Sequence, residues 1–209
     1  MKIKNENISL LVLDLDETLI HASNKPLNHP ADFTIFEHHV YKRPYLDEFL
    51  DEVKKKFLIG IWSSASDDYV KLIVEKIIPK DLELEFVWGR SRCKLKRNFQ
   101  GNDDWSIRGN YLDHYNYVKP LKKLKRQGFQ IERILIVDDT PHKSKENYGN
   151  AIYPKEFLGS PDDDELKYLL KYLNKLSTDR FLFLRRNCDL IGNVPRQSLC
   201  LVLKPNLLL

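Results

Sequence analysis

Along the chain, short apolar runs alternate with segments whose apolar residues recur every three or four positions. ISLLVLD (8–14), FLIGIW (57–62) and RILIVD (133–138) are continuous rather than alternating, which predicts strands buried on both faces. EFVW (85–88) and NAIYP (150–154) read as shorter strands. PYLDEFLDEVKKK (44–56) predicts a helix with Pro44 in its first position and Leu46, Phe49, Leu50 and Val53 on one face. Ser66 suits the cap of a second helix, striped by Val70, Ile73, Val74 and Ile77. Pro120 opens a third, LKKLKRQG, which Gly128 ends. Asp162 and Glu165 form a capping-box pattern before a fourth, with Leu166, Leu169, Leu170 and Leu173 along one side.

Strands that alternate with helices predict an α/β fold: a mainly parallel central sheet flanked by helices on both faces. Residues 21–42 and 89–116 break the rhythm. They are read as small insertions on one domain spanning 1–179, each too short for a large cap domain.

Charge separates that domain from the C-terminal tail, 180–209. Residues 1–179 hold 29 basic and 29 acidic residues, so the net charge of +4 resides in the tail. The tail and GRSRCKLKR (89–97) are basic patches that suit an anionic partner or, equally, are a ragged tail and a solvated loop. With no recognisable nucleic-acid module, no stable nucleic-acid complex is expected. The start, MKIKNENISL, lacks a secretory pattern, and no run has the roughly 18 apolar residues of a membrane span. Cys93, Cys188 and Cys200 are odd in number and widely spaced, which suggests a reducing, intracellular setting, cytoplasmic or nuclear.

Parallel α/β sheets hold ligands at the carboxyl ends of their strands. There the sequence places Asp14, Asp16 and Thr18, then Ser63-Ser64, then Asp138-Asp139-Thr140-Pro141, with Lys119 before the third helix. Singly these signals are weak: a DxD also makes a surface turn, paired serines also cap helices, and DD before Pro also starts a turn. Together they form one chemical set. An Asp can attack phosphorus and carry the phosphoryl group, and a second Asp two residues on can protonate the leaving oxygen. Carboxylates are the ligands Mg²⁺ prefers, while hydroxyls and a lysine can hold phosphoryl oxygens.

DLDETL (14–19) resembles the signature of the haloacid-dehalogenase-like phosphohydrolases. RPYLDEFL (43–50), IWSSAS (61–66), Arg90 and Cys93 before an insert, YVKPL (117–121) and ILIVDDTP (134–141) extend the likeness. The branch it resembles contains the RNA polymerase II carboxy-terminal-domain phosphatases and the NLI-interacting-factor-like phosphatases. The resemblance implies a Rossmann-like sheet and Mg²⁺-dependent hydrolysis of phosphomonoesters through an aspartyl phosphate. It makes Asp14 the nucleophile and Asp16 the acid/base. Thr18, which orders the loop, joins Ser63, Lys119 and Arg90 on the phosphate side. Asp14, the backbone carbonyl of Asp16, and Asp139 become Mg²⁺ ligands, with Asp138 orienting the lysine and metal-bound water.

Without a large cap, the implied substrate is a phosphoserine or phosphothreonine in a protein or peptide. A small-molecule or nucleic-acid phosphate, or a catalytically inactive binding or translocation role, are the alternatives. Tyr41, Trp88, Phe99, Trp105, Tyr111, Tyr115 and Tyr117 border or occupy the insertions, as peptide anchors or as a satellite core. The tail departs from the branch and fits a final strand, a partner-binding arm or a non-native end alike. Its apolar LCLVLKPNLLL suggests self-association through an edge strand.

Overall fold

The computed structural model describes residues 8–97 and 115–178. Five strands form the central sheet: β1 (Ser9–Leu13), β5 (Phe57–Trp62), β6 (Leu84–Trp88), β9 (Ile134–Val137) and β10 (Ala151–Ile152). They lie in the order β10-β9-β1-β5-β6, and every neighbouring pair is parallel. β1 and β9 are buried along their whole length, as their unbroken apolar runs require.

Alternate residues face two separate cores. Leu11, Leu13, Ile59, Ile61, Leu135 and Val137 pack against α1 (Leu46–Val53), α2 (Asp67–Ile77) and α4 (Glu165–Thr178). Leu10, Val12, Trp62, Ile134 and Ile136 meet Leu121, Phe129 and Leu124, the last from the short α3 (Lys122–Lys125). On this second face, Gly60 leaves room for the Phe86 ring, whose nearest atom lies 2.4 Å from where a Cβ would sit. Any side chain there would displace the ring.

Three helix starts differ from their predicted form: α3 begins at Lys122 with Leu121 as its N-cap, two residues after Pro120, and α1 and α4 also depart. Pro44 precedes α1 instead of opening it, because Tyr45 takes a left-handed conformation (φ 66°) and the helix begins at Leu46. At α4, the Glu165 N–H donates to Asp163 Oδ1 at 3.1 Å, so Asp163 supplies the bond expected of Asp162. The Glu165 side chain accepts the Lys155 N–H rather than closing a capping box.

The first insertion builds its own antiparallel sheet from β2 (Ile20–Ser23), β3 (Phe33–Ile35) and β4 (His38–Lys42), ordered β2-β4-β3. The described part of the second forms a ribbon of β7 (Lys94–Arg97) and β8 (Tyr115–Val118). Tyr41 and Trp88 are both buried, Tyr41 against His29 of the first insertion and Trp88 in the second core of the central sheet beside Trp62. Phe99, Trp105, Tyr111 and the 180–209 tail with its association strand lie outside the described residues. Among the described residues, no helix is long and apolar enough to cross a membrane.

Candidate active site

From β1 the chain steps outward to β5 and β6, then crosses to β9 and β10 on the other side. The crevice between β1 and β9 is therefore the switch point at which such sheets bind ligands. Leu13 pairs with Val137, so Asp14 and Asp138 emerge side by side. The ladder fixes them one step further: Asp14 N–H donates to Val137 O at 2.9 Å, and Asp138 N–H to Ile152 O at 3.1 Å. Ser63 is held likewise, its N–H donating to Trp88 O at 2.9 Å. Lys119 follows β8, and its N–H donates to Lys143 O at 2.7 Å.

Two carboxylates and two ammonium groups then interlock. Asp14 Oδ1 accepts the Leu15 N–H at 2.9 Å and lies 2.9 Å from Lys119 Nζ. Lys119 Nζ also donates to Asp138 Oδ2 at 2.7 Å. From the other side, Lys143 Nζ donates to Asp14 Oδ2 at 3.1 Å and sits 3.7 Å from Asp138 Oδ1. Asp14, Asp138 and Lys119 are all buried. Burial alone would raise the Asp14 pKa, but the Lys119 and Lys143 charges outweigh it and hold the carboxyl below its ordinary value. Asp138 goes the other way, to about 6, through burial and the neighbouring Asp14 charge.

Asp16 occupies a different environment. Its Oδ1 accepts a hydrogen bond from the Tyr69 hydroxyl at 2.8 Å, and its Oδ2 one from Ser63 Oγ at 3.1 Å. Ser63 Oγ in turn accepts the Ala65 N–H at 3.0 Å. Burial and the Asp14 charge raise the Asp16 pKa. Adjacent carboxylates are thus driven in opposite directions.

The turn that carries them is braced from several sides. Glu17 is left-handed (φ 59°), and its carbonyl accepts the Phe157 N–H at 2.8 Å. Thr18 is buried; its Oγ1 donates to Asp139 Oδ1 at 3.3 Å and accepts the Asp139 N–H at 3.2 Å. Arg43 clamps the turn from behind. Nη1 donates to Thr18 O at 2.9 Å and Nη2 to Lys155 O at 2.7 Å. Nε and Nη2 also grip Asp163 bidentately at 2.7 and 3.0 Å.

Asp14, Asp16, Thr18, Ser63, Lys119, Asp138 and Asp139 therefore gather in one constellation at the sheet edge, with Thr18 and Asp139 tied to Asp138 through Thr140 and the Asp16–Ser63 pair held separately beside Asp14. Arg90 takes a position beside it. Its guanidinium is exposed, donates to Ser64 O at 2.8 Å and lies 5.1 Å above the Tyr117 ring. Two further residues belong to the constellation without having been singled out by motif, Tyr69 and Lys143, and Arg43, which heads RPYLDEFL with no role assigned to it there, clamps it. His142, close in sequence to the acidic pair, is exposed, while Lys143 beside it turns inward.

The donors suit a hard cation. Asp14, Asp138 and Asp139 each offer a carboxylate oxygen, and these oxygens lie within 4.8 Å of one another. Such a set can hold a metal ion of the oxygen-seeking kind.

Comparison with known proteins agrees with this geometry. Residues 9–182 match the family model of the NLI interacting factor-like phosphatases. The chain belongs to that family. Among curated relatives, the human carboxy-terminal domain RNA polymerase II polypeptide A small phosphatase 1 is 32% identical over 175 residues. That match covers 80% of this chain and 59% of the relative. A probable C-terminal domain small phosphatase of Dictyostelium discoideum is 30% identical over 181 residues, covering 83% of this chain and 52% of the relative. The chain spans little more than half the length of these two relatives. The solved structure of Fcp1, an essential RNA polymerase II CTD phosphatase, superposes with a TM-score of 0.62. It covers 95% of this chain and 70% of that one at 17% identity, a likeness of fold.

Proposed function

We propose that the chain is a Mg²⁺-dependent phosphomonoester hydrolase that works through an aspartyl phosphate on phosphoserine or phosphothreonine in proteins. The observation that carries this reading is the split between Asp14, held ionised by two lysines, and Asp16, pushed towards its acid form. Paired carboxylates with divergent pKa values have the division of labour that a nucleophile and an acid require.

In this mechanism an Asp14 oxygen attacks phosphorus and the ester P–O bond breaks. Asp16 gives its proton to the departing serine or threonine oxygen. Water then attacks the aspartyl phosphate, Asp16 takes that water's proton, and inorganic phosphate leaves with Asp14 restored as a carboxylate. Lys119, with Ser63 and Arg90, is assigned to the phosphoryl oxygens. Thr18 fixes the loop through Asp139. Mg²⁺ would be held by Asp14, Asp139 and the Asp16 backbone carbonyl, with Asp138 supporting Lys119, and would neutralise charge on the incoming phosphoryl group.

A protein substrate is favoured by the small size of the described insertions. Among the described residues, the insertions form a three-stranded sheet and a two-stranded ribbon and no large cap. The names of the RNA polymerase II relatives support the same class of substrate without fixing which protein is acted on. An intracellular setting, cytoplasmic or nuclear, belongs to this reading.

The test is turnover of an aryl phosphate and of phosphoserine and phosphothreonine peptides, with Mg²⁺ and with EDTA. Turnover that EDTA stops and Mg²⁺ restores is expected. Turnover of small phosphates but never of peptides would contradict the substrate class. A folded protein inactive on both would contradict the enzymatic reading.

A further inference from the structure

Lys143 has no place in the motif set, yet its ammonium stands among the very carboxylates suited to a cation. It is carried on a single 3₁₀ turn, Pro141–Ser144, directly after the acidic pair. Its backbone is fixed, since its carbonyl accepts the Lys119 N–H and its own N–H donates to Thr140 O at 3.1 Å. Its side chain lies 3.1 Å from Asp14 Oδ2 and 3.7 Å from Asp138 Oδ1. A lysine ammonium is ordinarily charged at neutral pH, and here it faces two carboxylates as a cation.

The two oxygens of Asp14 are engaged differently. Oδ1 is taken from within by the Leu15 N–H and by Lys119, whose side chain is 0% exposed. Oδ2 faces Lys143, whose side chain is 15% exposed and has a way out to solvent. An oxygen that ligates a divalent ion or attacks phosphorus must offer electron density that this ammonium now engages. A lysine cation and a divalent cation within contact distance of one carboxylate oxygen also repel each other strongly in a buried site.

From this geometry we infer that Lys143 is a built-in counter-cation that competes with the divalent ion for Asp14 Oδ2 and the neighbouring carboxylates. Cation uptake displaces the Lys143 side chain outward while Lys119 stays in place. Lys143 is thus a positioning residue that tunes metal affinity. The inference rests on the proposed metal site and concerns only how tightly that site binds.

The experiment is isothermal titration of Mg²⁺, and separately Mn²⁺, into the folded wild-type chain and its Lys143→Met and Lys143→Arg variants. Lys143→Met keeps an unbranched stem without the charge, and its Kd is expected to tighten by roughly tenfold or more. Lys143→Arg retains the competing charge and is expected to bind no more tightly than wild type. Should Lys143→Met fail to fold alone, its recovery of a cooperative unfolding transition on adding Mg²⁺ is the expected substitute, because the ion replaces the lost countercharge. Unfolding that Mg²⁺ does not rescue, or a Lys143→Met affinity equal to or weaker than wild type, would overturn the inference. Wild type that takes up no ion while Lys143→Met does would support it. Absence of uptake in all forms would overturn both this inference and the Mg²⁺ assignment, whereas uptake that is equal in all forms overturns this one alone.

Discussion

The Tyr69 hydroxyl donates a 2.8 Å hydrogen bond to Oδ1 of Asp16, reaching the turn after β1 from the first turn of α2. With Ser63 on Oδ2, it leaves the Asp16 carboxyl little freedom to rotate. Tyr69 is itself raised in pKa by burial and by Asp16, so it serves as a donor and not as a base.

Removing that hydroxyl should matter according to the leaving group. In Tyr69→Phe the ring packing is kept, and kcat/KM on a phosphoserine peptide is expected to drop by roughly tenfold to a hundredfold, part of the roughly 10²–10⁴-fold that general acid catalysis supplies. An aryl phosphate whose leaving group needs little protonation should lose much less. Steady-state kinetics on both substrates checks this; equal losses would show that Tyr69 only supports the fold.

Arg43 should be a stability residue with a kinetic consequence. Its guanidinium is fully buried and satisfied by Asp163, Thr18 O and Lys155 O. Arg43→Met strands Asp163 and two carbonyls, and a loss of about 3–5 kcal/mol is expected on breaking such a pair. Arg43→Lys should recover little, because an ammonium cannot reproduce the bidentate fork. Urea unfolding measures both; midpoints unchanged from wild type would contradict the clamp.

Glu17 should make stability depend on pH. Burial, then the charges of Asp16 and Asp139, push its pKa from 4.5 to about 7. The folded state therefore holds this proton more tightly than the unfolded chain. Its contribution is complete below pH 4.5 and is lost as pH rises through about 7. In Glu17→Gln the advantage over wild type should grow across that window, read as Tm against pH in EDTA. Parallel curves for the two proteins would contradict the assignment.

The fold was legible because β1 and β9 must be buried on both faces, and a continuous run such as LLVL or ILIV has few other homes. Asp14, Asp16 and Asp138 were legible for a related reason, since polar groups at the ends of such strands gather at one edge; Lys119 was legible through its likeness in YVKPL, because the strand before it was not predicted. Lys143 was not, since a lysine in HKSKEN looks like any solvent-facing lysine until the 3₁₀ turn aims it inward. Tyr69 was hidden by sitting beside the apolar stripe Val70–Ile77, where a tyrosine reads as packing. Helix starts were misplaced where a neighbour changed the local choice: Tyr45 absorbs the left-handed turn before α1, and Asp163 rather than Asp162 accepts the Glu165 N–H.

The proposed chemistry turns on Asp14 as the group that receives the phosphoryl. The most direct measurement is acid-quenched single turnover followed by mass spectrometry of the peptide holding residues 8–20, in wild type and in Asp14→Asn. One acid-stable, hydroxylamine-labile phosphoryl group is expected on Asp14 of wild type. None is expected on Asp14→Asn, with turnover lost and the folded CD spectrum retained. Phosphoryl transfer to another residue, or undiminished turnover in Asp14→Asn, would contradict the assignment of Asp14 as nucleophile.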